Sequence, residues 1–216
     1  MALTAEEARV LGSLIEKEAT VPDSYPLSLN TLRLACNQTT NRHPVLAYDD
    51  RTVENALLSL KSMGLVRFVH PSHGGRTTRY RHSADERWRL SPQELAVLSV
   101  LIVRGPQTVG EVRSRAERHH PFADGNEVEE ILDTLAGRSP EPFAIRLERR
   151  AGEREARWAH LLSGEPDLSA EPPPPAEGEE RRVPRGGRID AVEAELAELR
   201  RRLDRLERLL DRTADS

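Results

Sequence analysis

Residues 3–15, LTAEEARVLGSLI, align without a gap onto residues 90–102, LSPQELAVLSVLI. Leu3, Glu7, Val10, Leu11, Leu14 and Ile15 meet Leu90, Glu94, Val97, Leu98, Leu101 and Ile102. Further along, VENALLSL at 53–60 aligns onto VEEILDTL at 128–135. A repeat of this kind implies two copies of one module rather than one larger fold.

The first copy reads as three helices and a hairpin. Residues 4–19 carry an apolar stripe of Val10, Leu11, Leu14 and Ile15, and Thr4 with Glu7 makes a capping-box pair. Two prolines in TVPDSYP then interrupt the chain. Helix resumes over 28–36, with Leu29, Leu32 and either Leu34 or Ala35 turned inward. In RTVENALLSLKSMGLV, Val53, Leu57 and Leu60 recur at helical spacing, Asp49 and Asp50 are candidate N-caps, and Gly64 is a terminator. Leu65 and Val66 start an extended run, and Gly74-Gly75 supplies the positive φ angles of a hairpin turn. Helix, connector, helix, strand, turn, strand is the order of the second half of a winged helix.

The second copy follows the same plan. TVGEVRSRAER (108–118) supplies a second helix, and PFAIRLERR and EARWAHLL supply a second two-stranded wing. Residues 163–187 lack apolar periodicity and are rich in Pro, Glu, Gly and Ser, as in a linker. Beyond them Ile189, Leu196, Leu203 and Leu210 fall on heptad position a, and Val192, Leu199 and Leu206 on d. That spacing predicts a short parallel coiled coil and hence a homodimer, the alternative being a helix that folds back onto a winged-helix face. The expected architecture is mainly α with small β-hairpin wings (α+β). Its parts are winged-helix domains at 1–83 and 84–162, a linker at 163–187 and a coiled-coil helix at 188–212.

Charge is distributed unevenly. The net charge of −4 hides an excess of +5 in residues 28–82, which hold 8 basic and 3 acidic side chains. A polyanion would meet that local excess rather than the chain average. Arg67, Arg76, Arg79 and Arg81 surround the first hairpin turn, with His73 and His82 nearby. On the third helix Arg51, Thr52, Asn55, Ser59 and Ser62 face away from the apolar stripe. Arg and Asn are the side chains that pair bidentately with guanine and adenine. The bland alternative is a solvated, Arg-rich hairpin beside an ordinary amphipathic helix. The corresponding helix of the second copy carries Glu127, Glu129, Glu130 and Asp133, a face that would repel DNA and suits a protein partner or water.

The connector CNQTTNRHPVLAYDD exceeds the 3–4 residues of a tight helix-turn-helix. Its Asn37 reads as a helix cap, while Arg42 is open to either a structural or a DNA-contacting role. Cys36 and His43 are two donors without two more at suitable spacing, so no metal site is expected, and Cys36 reads as a buried thiol. The single cysteine fits a reducing compartment. The start MALTAEEARV lacks the pattern of a secretory leader, and no apolar run approaches the roughly 20 residues of a membrane span, so a cytoplasmic location without membrane contact is expected. The sequence offers no phosphate loop, no H-E-x-x-H and no nucleophile elbow, so neither an enzyme nor a cofactor is expected.

YPLSLN (25–30), ACNQ (35–38), NRHPV (41–45) and the hairpin arginines together resemble the bacterial YceH-like family of uncharacterised tandem winged-helix proteins. The resemblance covers roughly residues 1–162 and implies the two-module architecture already read from the repeat. It implies no activity, ligand or catalytic residue. The expected function is DNA binding with a possible regulatory role, using Arg51, Thr52, Asn55, Ser59, Arg76, Arg79, Arg81 and Arg42. The alternative is a protein-interaction adaptor without nucleic acid, since fold does not settle function.

Overall fold

The computed structural model describes residues 2–70, 77–149 and 152–166. The heptad positions 189–210 and Arg76 lie outside the described residues. The architecture is mainly α with small antiparallel sheets, as the patterning indicated. In chain order it comprises α1 (Ala5–Thr20), a single 3₁₀ turn (Pro22–Ser24), β1 (Leu27–Ser28), α2 (Leu29–Cys36), α3 (Asp50–Ser62), β2 (Val66–Val69) and β3 (Arg79–His82). There follow α4 (Ala84–Trp88), α5 (Pro92–Arg104), α6 (Val109–Ala116), α7 (Gly125–Ala136), β4 (Ala144–Arg146) and β5 (Trp158–His160).

The helix starts follow local chemistry. Thr4 and Glu7 form the expected capping box, and Ser91–Glu94 and Thr108–Glu111 repeat it on α5 and α6. Each box satisfies two backbone N–H groups that would otherwise be orphaned. Asp49, one of the two candidates, caps α3 by accepting the Thr52 N–H at 2.8 Å. Gly64 follows α3 at φ 74°, where an L side chain would be strained. The short helix α4 was not anticipated from the sequence.

α1 and α5, the aligned copies, are buried on nearly every side: residues 7–16 of α1 and 96–103 of α5 are all buried. They pack on one another. Gly12 permits the approach, because a Cβ there would lie 2.5 Å from Ile102 Cγ2. Residues 1–167 form one compact unit, and one core runs from Leu11 and Leu14 through Leu98 and Leu101 to Leu132 and Trp158. In α2 the inward positions are Leu32 and Ala35; Leu34 points outward, 56% exposed.

The first sheet has the order β1-β3-β2, with Phe68 opposite Tyr80 and Arg67 opposite Arg81. Alternation puts Tyr80 and His82 inward and Arg79 and Arg81 outward. The second sheet pairs β4 with β5, and Gln107 bridges to Trp158 just before α6. Among the described residues no helix is long and apolar enough to cross a membrane, and no three His, Cys, Asp or Glu side chains could hold a metal ion.

Candidate nucleic-acid interface

Burial of Val53, Ala56, Leu57 and Leu60 fixes which side of α3 faces out. The opposite stripe is Arg51, Asn55, Leu58 and Ser62, spaced by four, three and four residues and all exposed. Thr52 and Ser59 are half-buried on its flank. Leu58, 58% exposed in the middle of the stripe, was not singled out from the sequence. Asp50 at the start of α3 is neutralised by Arg33 of α2 at 2.7 Å. Lys61 sits 4.4 Å above the Phe68 ring, tying α3 to β2.

The outward face of β2 and β3 carries Arg67, Arg79 and Arg81. Glu86 of α4 changes what that strip presents: it forms an ion pair with Arg67 and lies 3.9 Å from Arg81. Among the described residues Arg79 has no carboxylate partner; its Nη1 donates to the Pro26 carbonyl at 2.9 Å. Two of the three described strip arginines are therefore partly neutralised, and Arg79 is the cation most available to a phosphate. His82 does not belong to the wing surface. It is buried beside Glu18 and Tyr25, its Nδ1 accepting the Ala84 N–H at 3.3 Å and its backbone N–H donating to the Tyr25 hydroxyl at 2.7 Å. Burial, only partly offset by that hydrogen bond, raises the Tyr25 phenol well above its ordinary range.

Arg42 must be removed from the candidate set. Its side chain is fully buried, with Nη1 and Nη2 donating to the Glu16 carboxylate at 2.7 and 2.9 Å. Its Nε donates to the Ala35 carbonyl at 3.0 Å. A guanidinium so enclosed cannot reach a phosphate. Burial alone would raise the Glu16 carboxyl, but hydrogen bonds and charge from Arg42, with Lys17 beside it, hold it below the ordinary carboxylate range.

Arg9, read from the sequence only as part of a helix, proves to be the second staple. It donates to the carbonyls of Cys36, His43 and Pro44 at 3.2, 3.0 and 2.8 Å. Its burial, then the nearby Arg42 charge, lowers its pKa. Asn37 occupies the cap position of α2 and exchanges two 2.8 Å hydrogen bonds with the Tyr48 backbone, closing the connector on itself. His43 N–H donates to the Val103 carbonyl of α5 at 2.9 Å. The long connector is thus held by α1 and α5. Cys36 is buried, and that burial pushes its thiol up to about 11.

On α7 the expected acidic face is only partly free. Glu127 accepts the Ala123 N–H at 2.8 Å and Glu129 lies 3.6 Å from Arg146, whereas Glu130 and Asp133 are exposed.

The family described as a protein of unknown function, DUF480, matches residues 3–153. A UPF0502 protein of Geobacter sulfurreducens is 52% identical over 195 residues, covering 89% of this chain and 88% of the relative. A UPF0502 protein of Geotalea daltonii is 51% identical over 181 residues, covering 84% and 82%. The UPF0502 protein YceH of Escherichia fergusonii is 44% identical over 211 residues, covering 94% and 95%.

Proposed function

We propose that this chain, which belongs to the DUF480 family, binds duplex DNA through α3 and the outward face of β2–β3, used as a winged helix, and serves a regulatory role. The observation that carries this reading is the exposed stripe Arg51, Asn55 and Ser62 on a helix whose other side is anchored in the core, beside the outward Arg79. Arg51 and Asn55 would approach base edges, with Thr52 and Ser59 at the flank. Arg79, with Arg76 three positions before it in the sequence, would neutralise phosphates. The heptad leucines at 189–210 would pair two copies; sedimentation of the chain truncated after Gly164, against the full chain, tests this.

A filter-binding salt titration tests the DNA reading. Arg79→Ala should lower the slope of log affinity against log salt by roughly 1 on any sequence. Asn55→Ala should cost about 1–3 kcal/mol on a preferred site and little on random DNA. No salt-dependent binding by the wild type at about 50 mM salt would reject the reading.

One observation favours a second reading, a protein-interaction adaptor. Leu34 and Leu58 are more than half exposed, and Leu58 lies at the centre of the α3 stripe. Apolar side chains so placed suit the desolvated centre of a protein interface.

A further inference from the structure

Away from the α3 stripe, a cavity of about 590 Å³ opens between the end of α3, α4, the loop after α7 and the end of β5. That volume lies in the range of small-molecule sites, about 300–1,000 Å³. Its apolar wall includes Leu3, Leu65 and Leu162, all buried. Trp88 and Phe143 add two aromatic faces, ring centroids 5.1 Å apart and tilted by 56°. Arg138 stacks over Phe143 at 4.8 Å and is fixed there by Glu94 and the Trp88 carbonyl.

Arg89 adopts φ 53°, a left-handed conformation uncommon for any residue but glycine or asparagine. That conformation ends α4: Arg89 is its C-cap, and its backbone N–H donates to the Asp85 carbonyl. Arg89 lines the cavity and is exposed, its side chain without a hydrogen-bond or ion-pair partner among the described residues. Three lining arginines, Arg87, Arg89 and Arg138, against Glu141 and Glu165 leave the lining at a formal +1.

We propose that this cavity binds an amphiphilic monoanion, an aromatic or short-chain carboxylate, with its apolar body against Trp88 and Phe143 and its carboxylate on Arg89. An apolar wall with a few convergent polar groups is the general form of such sites, and a guanidinium pairs a carboxylate through two parallel hydrogen bonds. Such binding needs no DNA.

The probe is naphthoate, titrated calorimetrically into the full chain, with naphthyl methanol as its uncharged counterpart. Saturable single-site binding of naphthoate is expected, weakened roughly tenfold or more in Arg89→Asn, a change that keeps the left-handed backbone comfortable. Naphthyl methanol should bind more weakly than naphthoate by a similar factor. Naphthoate should also quench Trp88 emission, and Trp88→Phe should remove that quenching, leaving the buried Trp158 signal unchanged. Absence of saturable binding, equal affinity for the alcohol, an unchanged Arg89→Asn, or quenching that survives in Trp88→Phe would each overturn the proposal.

Discussion

Replacing Arg42 by methionine keeps most of the buried stem and deletes only the guanidinium. What remains is a Glu16 carboxylate, 9% exposed, whose one other ion-pair partner among the described residues is Lys17 at 2.8 Å. The Ala35 carbonyl also loses its guanidinium donor. Removing one partner of a buried ion pair costs about 3–5 kcal/mol, because the other charge is left uncompensated. Relief of the repulsion between Arg42 and Arg9 offsets part of this, so the lower end, about 3 kcal/mol, is expected. For a unit of this size that lowers the melting temperature by roughly 6–12 °C. Urea unfolding of the full chain, followed by circular dichroism, reads the change directly. The Glu16→Gln/Arg42→Met double variant should lose less than the sum of the single variants, since neither charge is then stranded. The pH dependence has a definite sign. The folded Glu16 carboxyl lies below its unfolded value, so its contribution is present above about pH 4.3 and is lost as pH falls through the folded value. The gap between wild type and Arg42→Met should therefore narrow in acid. A loss under about 1 kcal/mol at neutral pH, or strict additivity in the double variant, would refute the reasoning.

Three further outcomes are expected. Glu86→Gln should release Arg67 and Arg81 from their carboxylate and steepen the salt dependence of DNA binding, measured by filter binding; Arg81→Ala alone should change that slope less than Arg79→Ala does. Gly12→Ala places a Cβ within 2.5 Å of Ile102 and should cost about 1–3 kcal/mol in urea unfolding. Burial holds the His160 imidazole down at about 4, below the unfolded value of about 6.5. The unfolded chain binds the extra proton between those values, so stability should fall with falling pH by up to roughly 1.4 kcal/mol per unit across that window, and His160→Gln should flatten the slope.

Local chemistry made much of this protein legible from its sequence. Thr4–Glu7 and Asp49 declare helix starts because capping depends only on residues three positions apart. Val53, Leu57 and Leu60 identify the buried side of α3 because helical periodicity is a property of the chain itself. The repeat similarly anticipated three helices followed by two strands in each half, α1–α3 with β2–β3 and α5–α7 with β4–β5, but neither β1 nor α4. The site was only half legible. Arg51 and Asn55 lie on the exposed stripe, as their spacing from the apolar residues requires. Arg42 and Arg79 look alike in sequence, both basic residues in polar surroundings, yet one is enclosed by Glu16 and the other faces out. Burial depends on what arrives from elsewhere in the chain: Glu16 is 26 residues from Arg42, and Arg9 is 34 from His43. Glu86 reaches Arg67 from 19 residues away. Sequence periodicity determined which residues form each helix and which side it buries. Tertiary packing alone decided which arginines are free, because charge pairing depends on distance in space and not on distance along the chain.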